Sequence, residues 1–513
     1  MESVQILLVS ISVFVWLVVR WRSSSESKRR VLPPGPSGVP ILGNLLQLGP
    51  RPHEKMTEMA KVYGPLMALR LGFVTTIVAS SPEMAREIMQ RNDKAFSNRP
   101  VPDSVASQPN PEGTLAWVPG DHRWRNRRRI CSTQMFTAQR LDYLQHFRHR
   151  KVHQLVEHVR KHSAAGTAVD IGSLAFAATL NLISNTIFSV DIIDPVGFET
   201  AQEFKDLVWR IMEDAGKLNL SDYFPALRRF DLQGVRRHVR VSYLRLHQIF
   251  DEIIAKRLQS RASSSDSTSS THGDFLDVLL DQCQQHQDGF TFETIKPLIL
   301  DLFIAGSDTS GLTTEWAMAE LLRKPGVMEK AKEELEQVLG RRRQVEESDI
   351  ERLPYLQAIV KETLRLHPAA PLLLPYVAEN DVQIDGYTIQ KGNRVLVNAW
   401  CIGRDPKYWD DPLSFSPERF LAAAAGGGCS STTASATTRE YNGRDFEYIP
   451  FGAGRRICPG LPLANRMVTL TLASLIHSFH WQLPPGITPQ NLDMSEQFGI
   501  TLKKAVPLYA IPA

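Results

Sequence analysis

Phe451-Gly452-Ala453-Gly454-Arg455-Arg456-Ile457-Cys458-Pro459-Gly460 places one cysteine behind a glycine-rich, arginine-bearing loop and ahead of an apolar stretch over residues 461–479 that has the length of a helix. Glycines at this density let something bulky lie against the main chain, and Pro459 suits the first turn of the helix that follows. The sulfur of Cys458 then sits at a helix N-terminus. Peptide N–H groups there, with Arg455 and Arg456 beside them, favour thiolate over thiol. A held thiolate is a soft metal ligand. An isolated cysteine would more often be a buried structural residue, but here ten residues need a common explanation.

Working outward, the chain has 513 residues, 43% hydrophobic and 22% charged, enough for a large globular core. Its 59 basic and 55 acidic residues leave a net charge of only +4, which argues against nucleic-acid binding by the chain as a whole. The five cysteines are scattered, odd in number and without a C-x-x-C pair. A disulfide framework and a zinc site are both disfavoured, and a reducing, cytosol-facing environment fits.

Residues 3–19 form an uncharged apolar run, just long enough to cross a bilayer at roughly 17–25 residues per span. Met1-Glu2 before it and Trp21 after it do not suit a cleaved signal peptide, so an uncleaved anchor over 3–21 is expected. Arg20, Arg22, Lys28, Arg29 and Arg30 place the rest of the chain in the cytosol by the positive-inside bias. Residues 22–50 are basic, then proline-rich through Pro33, Pro34, Pro36 and Pro40, and read as a stiff extended hinge that is neither helix nor strand. A single large domain over 51–513 follows.

Within it, Leu66 and Ala79 bound a strand pair, Ser81 caps a helix, and residues 101–120 form a long loop rich in Pro, Ser and Gly. Trp124 and Arg128 stand four apart on one helix face, amid Arg123, Arg125, Arg127 and Arg129. Residues 292–322 read as a buried helix interrupted by Gly306, Asp308, Thr309 and Gly311. A mid-helix glycine costs about 1 kcal/mol relative to alanine, and a carboxylate in apolar surroundings costs more unless paired. Compensation is either structural, with Thr309 bonding back to a carbonyl and Asp308 pairing with an arginine, or functional. Glu362 and Arg365 are three apart on a helix, with Pro417-Glu418-Arg419-Phe420 further on. Residues 382–398 read as a β-hairpin turning at Gly386 and Gly392, and 421–438 as a low-complexity surface insertion.

Phe451, Gly454, Arg456, Cys458 and Gly460, at the spacing F-x-x-G-x-R-x-C-x-G, resemble the haem-ligand loop of the cytochrome P-450 monooxygenases. Ala305-Gly306-Ser307-Asp308-Thr309-Ser310 resembles that family's oxygen-activation segment, Trp124 with Arg128 its W-x-x-x-R pair, and Glu362, Arg365 and Arg419 its E-x-x-R and P-E-R-F partners. The resemblance implies a mainly α fold with a small β-rich region, one catalytic domain behind the anchor. It implies haem b with Cys458 as axial thiolate, the propionates held by Trp124, Arg128 and Arg456, and Asp308 and Thr309 relaying protons. Small Ala305 and Gly306 would let the helix pass close over the haem. Glu362, Arg365 and Arg419 would brace the core as a structural network. The position of Tyr376 often carries arginine or histidine in the family, and tyrosine departs from that pattern.

The resemblance further implies O2-dependent monooxygenation with electrons from NADPH through a flavoprotein reductase, received on the basic surface of the 121–133 helix. No pyridine-nucleotide or flavin fingerprint stands in the chain itself. The implied location is the endoplasmic reticulum membrane, single-pass. Leu300, Phe303, Ile304, Leu372, Leu373, Phe498 and Ile500 are the expected pocket residues for a small hydrophobic substrate. The texture of the chain resembles plant microsomal terpenoid hydroxylases, pointing to a mono- or diterpenoid; alkaloid and phenolic substrates stay open. A haem-thiolate isomerase or dehydratase, and a non-catalytic haem sensor, are the rival classes.

Overall fold

The computed structural model of the chain describes residues 31–192, 198–263, 273–285, 290–340, 343–421 and 439–513. The expected anchor, the basic half of the hinge and nearly all of the 421–438 insertion lie outside them. The fold is mainly helical with small β-sheets. Helices α1 (Pro52–Tyr63), α2 (His122–Gln134), α3 (Gln145–Ala165), α4 (Ile171–Phe188), α5 (Val235–Ser263), α6 (Phe292–Arg323), α7 (Pro325–Leu339), α8 (Pro354–Leu366) and α9 (Leu461–Ser478) carry most of it.

The largest sheet has four strands in the order β1 (Leu66–Leu71), β2 (Val74–Ala79), β6 (Arg394–Val397), β3 (Tyr376–Val377). Strands β1 and β2 are an antiparallel hairpin with Leu66 opposite Ala79. Strand β6 runs parallel to β2, Thr76 opposite Arg394. The expected hairpin over 382–398 is therefore divided. Strands β4 (Val382–Ile384) and β5 (Tyr387–Ile389) pair about Gly386, whose φ is 78°, but the segment beyond Gly392 joins the larger sheet instead. The proline-rich connector also differs from expectation, holding one helical turn, Leu45–Leu48, and docking along β1 through Ala68 N–H donating to Pro34 O.

Helix α6 organises the core. Thr291 caps it reciprocally with Thr294, whose Oγ1 accepts from the Thr291 N–H at 2.9 Å. Its N-terminal half, with Ile295, Leu298, Ile299, Leu300, Phe303 and Ile304, joins one apolar cluster with α4, α5 and the segment after α4. Its C-terminal half, with Ala317, Met318, Leu321 and Leu322, joins another with α3, α7, α8 and α9. Each fully buried leucine or phenylalanine contributes about 1.5–3 kcal/mol, so both ends of α6 are held firmly. The middle is not packed on all sides. Ala305 is exposed, and Asp301, Gly306 and Thr309 are half-buried, because they face an internal cavity.

The helix glycines answer to α4. A methyl on Gly306 would come within 2.4 Å of the Ile183 Cδ1, and one on Gly311 within 3.1 Å of the Phe176 backbone. The crossing of α4 and α6 therefore favours small residues at both positions, and Gly306 also lines the internal cavity. Helix α4 is the one described helix long and apolar enough to cross a membrane, and it is a buried core helix.

Candidate active site

A cavity of about 310 Å³ lies against the middle of α6. Cys458 lines it, and its position is set by the preceding loop. The Cys458 N–H donates to Phe451 O at 3.0 Å. Gly454 has φ 63°, and a Cβ there would fall 1.8 Å from Met89 O, so only glycine lets this loop seat on the turn at Glu87–Arg91. Helix α9 starts at Leu461 after Gly460, and Pro462 rather than Pro459 occupies its first turn. Burial pushes the Cys458 thiol up, while the Gly460 and Leu461 N–H groups and the Arg128 guanidinium draw it down. Arg455 turns away to pair with Asp93 at 2.9 Å, so the helpful cation is Arg128, not Arg455 or Arg456 as expected.

Three arginines converge on the cavity wall. Arg456 lies 4.1 Å over the Trp124 ring and donates to Ser97 O, Leu115 O and Val118 O, all neutral carbonyls. Burial first, and then the like charges of Arg99 and Arg128, draw it down to about 9. Arg128 lines the cavity with no carboxylate beside it among the described residues. Arg99 is buried, donates to Pro375 O at 3.2 Å and sits 4.7 Å over the Tyr376 ring. Its Nε has no acceptor among the described residues. Three clustered guanidiniums without counter-ions define a site for a dianionic group. Tyr376 brings no charge, but it supports the arginine that does. Arg99 was missed in the sequence because its only local signal is an S-N-R-P turn 357 residues before Arg456, a proximity made by folding.

Thr309 opens to the cavity, its hydroxyl donating to Ala305 O at 2.7 Å. That is the structural back-bond weighed above, and it leaves the Oγ1 lone pairs facing the cavity. Asp308, the next residue, points about 100° around the helix and is buried. Its Oδ2 accepts from Thr501 Oγ1 at 2.7 Å, and Thr501 lines the cavity. The expected partner of Asp308 was Thr309 or an arginine; Thr501, from the far C-terminus, was not foreseen.

Glu362 accepts two hydrogen bonds from Arg365, each 2.7 Å, one from Arg419 Nε at 3.0 Å and one from the Ser416 N–H at 2.7 Å. Arg365 also donates to Gly403 O, Pro412 O and Ser414 O. Glu362 and Arg365 are fully buried, and with Arg419 they form one charge network outside the cavity.

Of the expected pocket residues, Leu373 and Ile500 line the cavity. Leu372 and Phe498 line a smaller one of about 130 Å³ that shares Leu373, Leu374 and Ile500 with it. Leu300, Phe303 and Ile304 line neither. Phe303 packs among Phe188, Phe204 and Phe250 at ring distances of 5.3–6.0 Å. The cavity stripe of α6 is instead Asp301, Leu302, Ala305, Gly306, Thr309, Ser310 and Thr313. Leu115 and Ala116 of the 101–120 loop also line the cavity. Arg127 is buried, donating to Glu112 O and Thr114 O, which removes it from the exposed basic surface of Arg123, Arg125 and Arg129.

The residues present fit a haem: a thiol, an anion-seeking arginine trio and an apolar space over a small-residue helix face meet in one cavity. Comparison with known proteins agrees. A curated geraniol 8-hydroxylase from Catharanthus roseus is 47% identical over 94% of each chain. A drimenol monooxygenase from Persicaria hydropiper is 44% identical over 95% of this chain and 93% of its own length. A 7-ethoxycoumarin O-deethylase from Helianthus tuberosus is 45% identical over 94% of each. The cytochrome P-450 family model matches residues 33–508, and with the cysteine loop, the cavity and the charge network all in place, the chain belongs to that family of haem-thiolate oxidoreductases.

Proposed function

We propose that this chain is a membrane-anchored monooxygenase of the endoplasmic reticulum that hydroxylates a mono- or diterpenoid, with Cys458 as the haem's axial ligand and NADPH–cytochrome P-450 reductase as electron donor. The observation that carries the reading is one apolar cavity lined at once by Cys458, the three arginines and Thr309. When bound, the haem supplies reductive activation of O2 and insertion of one oxygen atom into a C–H bond.

Each protein group then has a task. The Gly460 and Leu461 N–H groups and Arg128 stabilise sulfur-centred negative charge on Cys458. Arg99, Arg128 and Arg456 hold the propionates, with Trp124 and Tyr376 as stacking supports. Thr309 Oγ1 holds a proton donor at the cavity wall, and Asp308 passes protons to the cavity through the Thr501 hydroxyl. Apolar Leu182, Ile183, Met212, Leu302 and Ile500 exclude water and favour a hydrocarbon. Exposed Arg123, Arg125 and Arg129 on α2 suit an acidic redox partner, and the apolar run at 3–21 supplies the anchor.

The relatives named for geraniol and drimenol support a terpenoid substrate. The test is a reconstituted assay of the full chain with reductase and NADPH against acyclic and cyclic terpenoids and 7-ethoxycoumarin, with products identified. Terpenoid hydroxylation is expected; turnover of the aryl ether alone would sink the terpenoid reading and favour phenolic substrates.

A further inference from the structure

Asp301 stands among the cavity-lining residues of α6, and it is the one carboxylate lining the cavity among the described residues. Its Oδ2 accepts two backbone hydrogen bonds from the opposite wall, from the Leu115 N–H at 2.6 Å and the Ala116 N–H at 2.9 Å. Both fall on the same oxygen. Oδ1 accepts none among the described residues, and it is not sealed from the cavity, since the side chain is only half-buried. The nearby cation, Arg127, spends its Nη1 on Glu112 O and Thr114 O and makes no ion pair with Asp301. An ionised carboxylate has about four acceptor sites, and in apolar surroundings a vacant one is costly unless a ligand fills it. The cavity that Asp301 shares is mostly apolar, with Leu182, Ile183, Leu302 and Met212 among its lining.

Spacing gives the vacancy a use. Asp301, Ala305 and Thr309 recur at i, i+4 and i+8, so they lie along one stripe of α6. Eight residues at 1.5 Å each put Asp301 roughly 12 Å from Thr309 along the helix axis. An extended ten-carbon prenyl alcohol spans about 10 Å from its oxygen to its far methyl groups at ordinary bond lengths. A molecule lying along the stripe with its hydroxyl at Asp301 therefore brings its remote end beside Ala305 and Thr309.

We propose that Asp301 Oδ1 accepts a hydrogen bond from a substrate hydroxyl, making Asp301 a specificity-determining residue that selects terpenoid alcohols and presents the end remote from the hydroxyl for oxidation. This deepens the terpenoid reading above and rests on it. Asp301 does not take part in the chemical step. Burial holds its carboxyl at about 6, so the acceptor is ionised at neutral pH, and a hydrogen bond to a charged group is worth roughly twice a neutral one.

The bland reading is that Asp301 only clamps the loop at Leu115 and Ala116. Affinities of geraniol and of geranyl methyl ether for the haem-loaded full chain, measured by spectral titration, separate the two, because the ether cannot donate a hydrogen bond. The wild type should bind the alcohol about tenfold more tightly than the ether. In Asp301→Asn the amide oxygen still accepts from both backbone N–H groups, so the clamp survives while the charged acceptor is lost. That variant should weaken geraniol about tenfold, move the ether less than twofold and scatter the position of hydroxylation on geraniol. Equal wild-type affinity for alcohol and ether would overturn the anchor while leaving terpenoid oxygenation intact. Equal weakening of both ligands by Asp301→Asn would reduce Asp301 to a clamp and also overturn it. Oxidation of neither molecule by the wild type would overturn the anchor and the terpenoid reading together. Should the variant fail to retain haem, the wild-type affinity ratio decides the matter by itself.

Discussion

Two groups of arginines in this protein are built to opposite plans. Arg365 and Arg419 meet a carboxylate of their own chain, Glu362, and Arg365 adds three carbonyls. Arg99, Arg128 and Arg456 meet carbonyls, aromatic faces and one another, and no carboxylate among the described residues. A buried guanidinium cannot shed its proton to escape the cost. The first group is therefore complete when the chain folds, and the second is complete only when an anion arrives. Counter-ion supply separates an architectural charge cluster from a ligand site made of the same residue type.

Breaking the complete cluster should have the largest effect. Glu362→Gln leaves two guanidiniums buried without their carboxylate, a loss of about 3–5 kcal/mol. The expected outcome is little folded protein, with or without haem, read from yield and melting temperature; a variant melting within a few degrees of the parent would show that the carbonyls alone satisfy Arg365 and Arg419. Next comes the ligand itself. Cys458→Ala should abolish monooxygenation and the thiolate signature of the reduced carbon monoxide spectrum while circular dichroism stays that of the parent.

Arg128→Met tests the incomplete cluster. Haem should dissociate about tenfold faster, the loss of a charge-assisted contact, yet the haem-free fold should be no less stable, since Arg128 has no carboxylate partner to lose. A stability loss like that of Glu362→Gln would erase the distinction between the clusters. Thr309→Ala should keep NADPH consumption but lower product formed per NADPH by about tenfold; equal coupling in variant and parent would remove Thr309 from the proton path.

The smallest effect concerns a lone anion in the same cavity. Burial raises the Asp301 carboxyl to about 6, above the ordinary value of about 3.9. Between those values the folded protein binds more protons than the unfolded chain, so this group's contribution is present below about pH 4 and is lost as pH rises through about 6. Asp301→Asn has no such slope. Its melting temperature relative to the parent should therefore rise by a few degrees from about pH 5 to about pH 7.

Much of this site was legible in the sequence because its motifs are local. The glycine spacing before Cys458, the four-residue step from Trp124 to Arg128 and the three-residue step from Glu362 to Arg365 each state a geometry that a turn or a helix fulfils by itself. The pocket residues of α6 were misread for an equally physical reason. Helical periodicity says which residues share a face, but α6 carries polar residues on more than one side, Asp301 and Thr309 toward the cavity and Ser307 and Asp308 away from it, so polarity does not single out the cavity face. Leu300, Phe303 and Ile304 were as plausible as Leu302 and Ala305 until α4 and α5 were packed against them.

The sequence by itself determined the local geometry around Cys458 and the helical steps that pair Trp124 with Arg128 and Glu362 with Arg365, since each is a short pattern whose spacing matches one turn or helix, and the resemblance those patterns carry to a known family implied the haem-thiolate chemistry and the mainly helical class. Only the tertiary structure decided that Gly306 packs against Ile183, that the Thr501 hydroxyl donates to Asp308, and that Arg99 and Asp301 belong to the site. Those contacts join residues up to 357 positions apart, Arg99 to Arg456. Such proximity comes from burying two apolar clusters around one helix, a property of the whole chain's packing that no local pattern encodes.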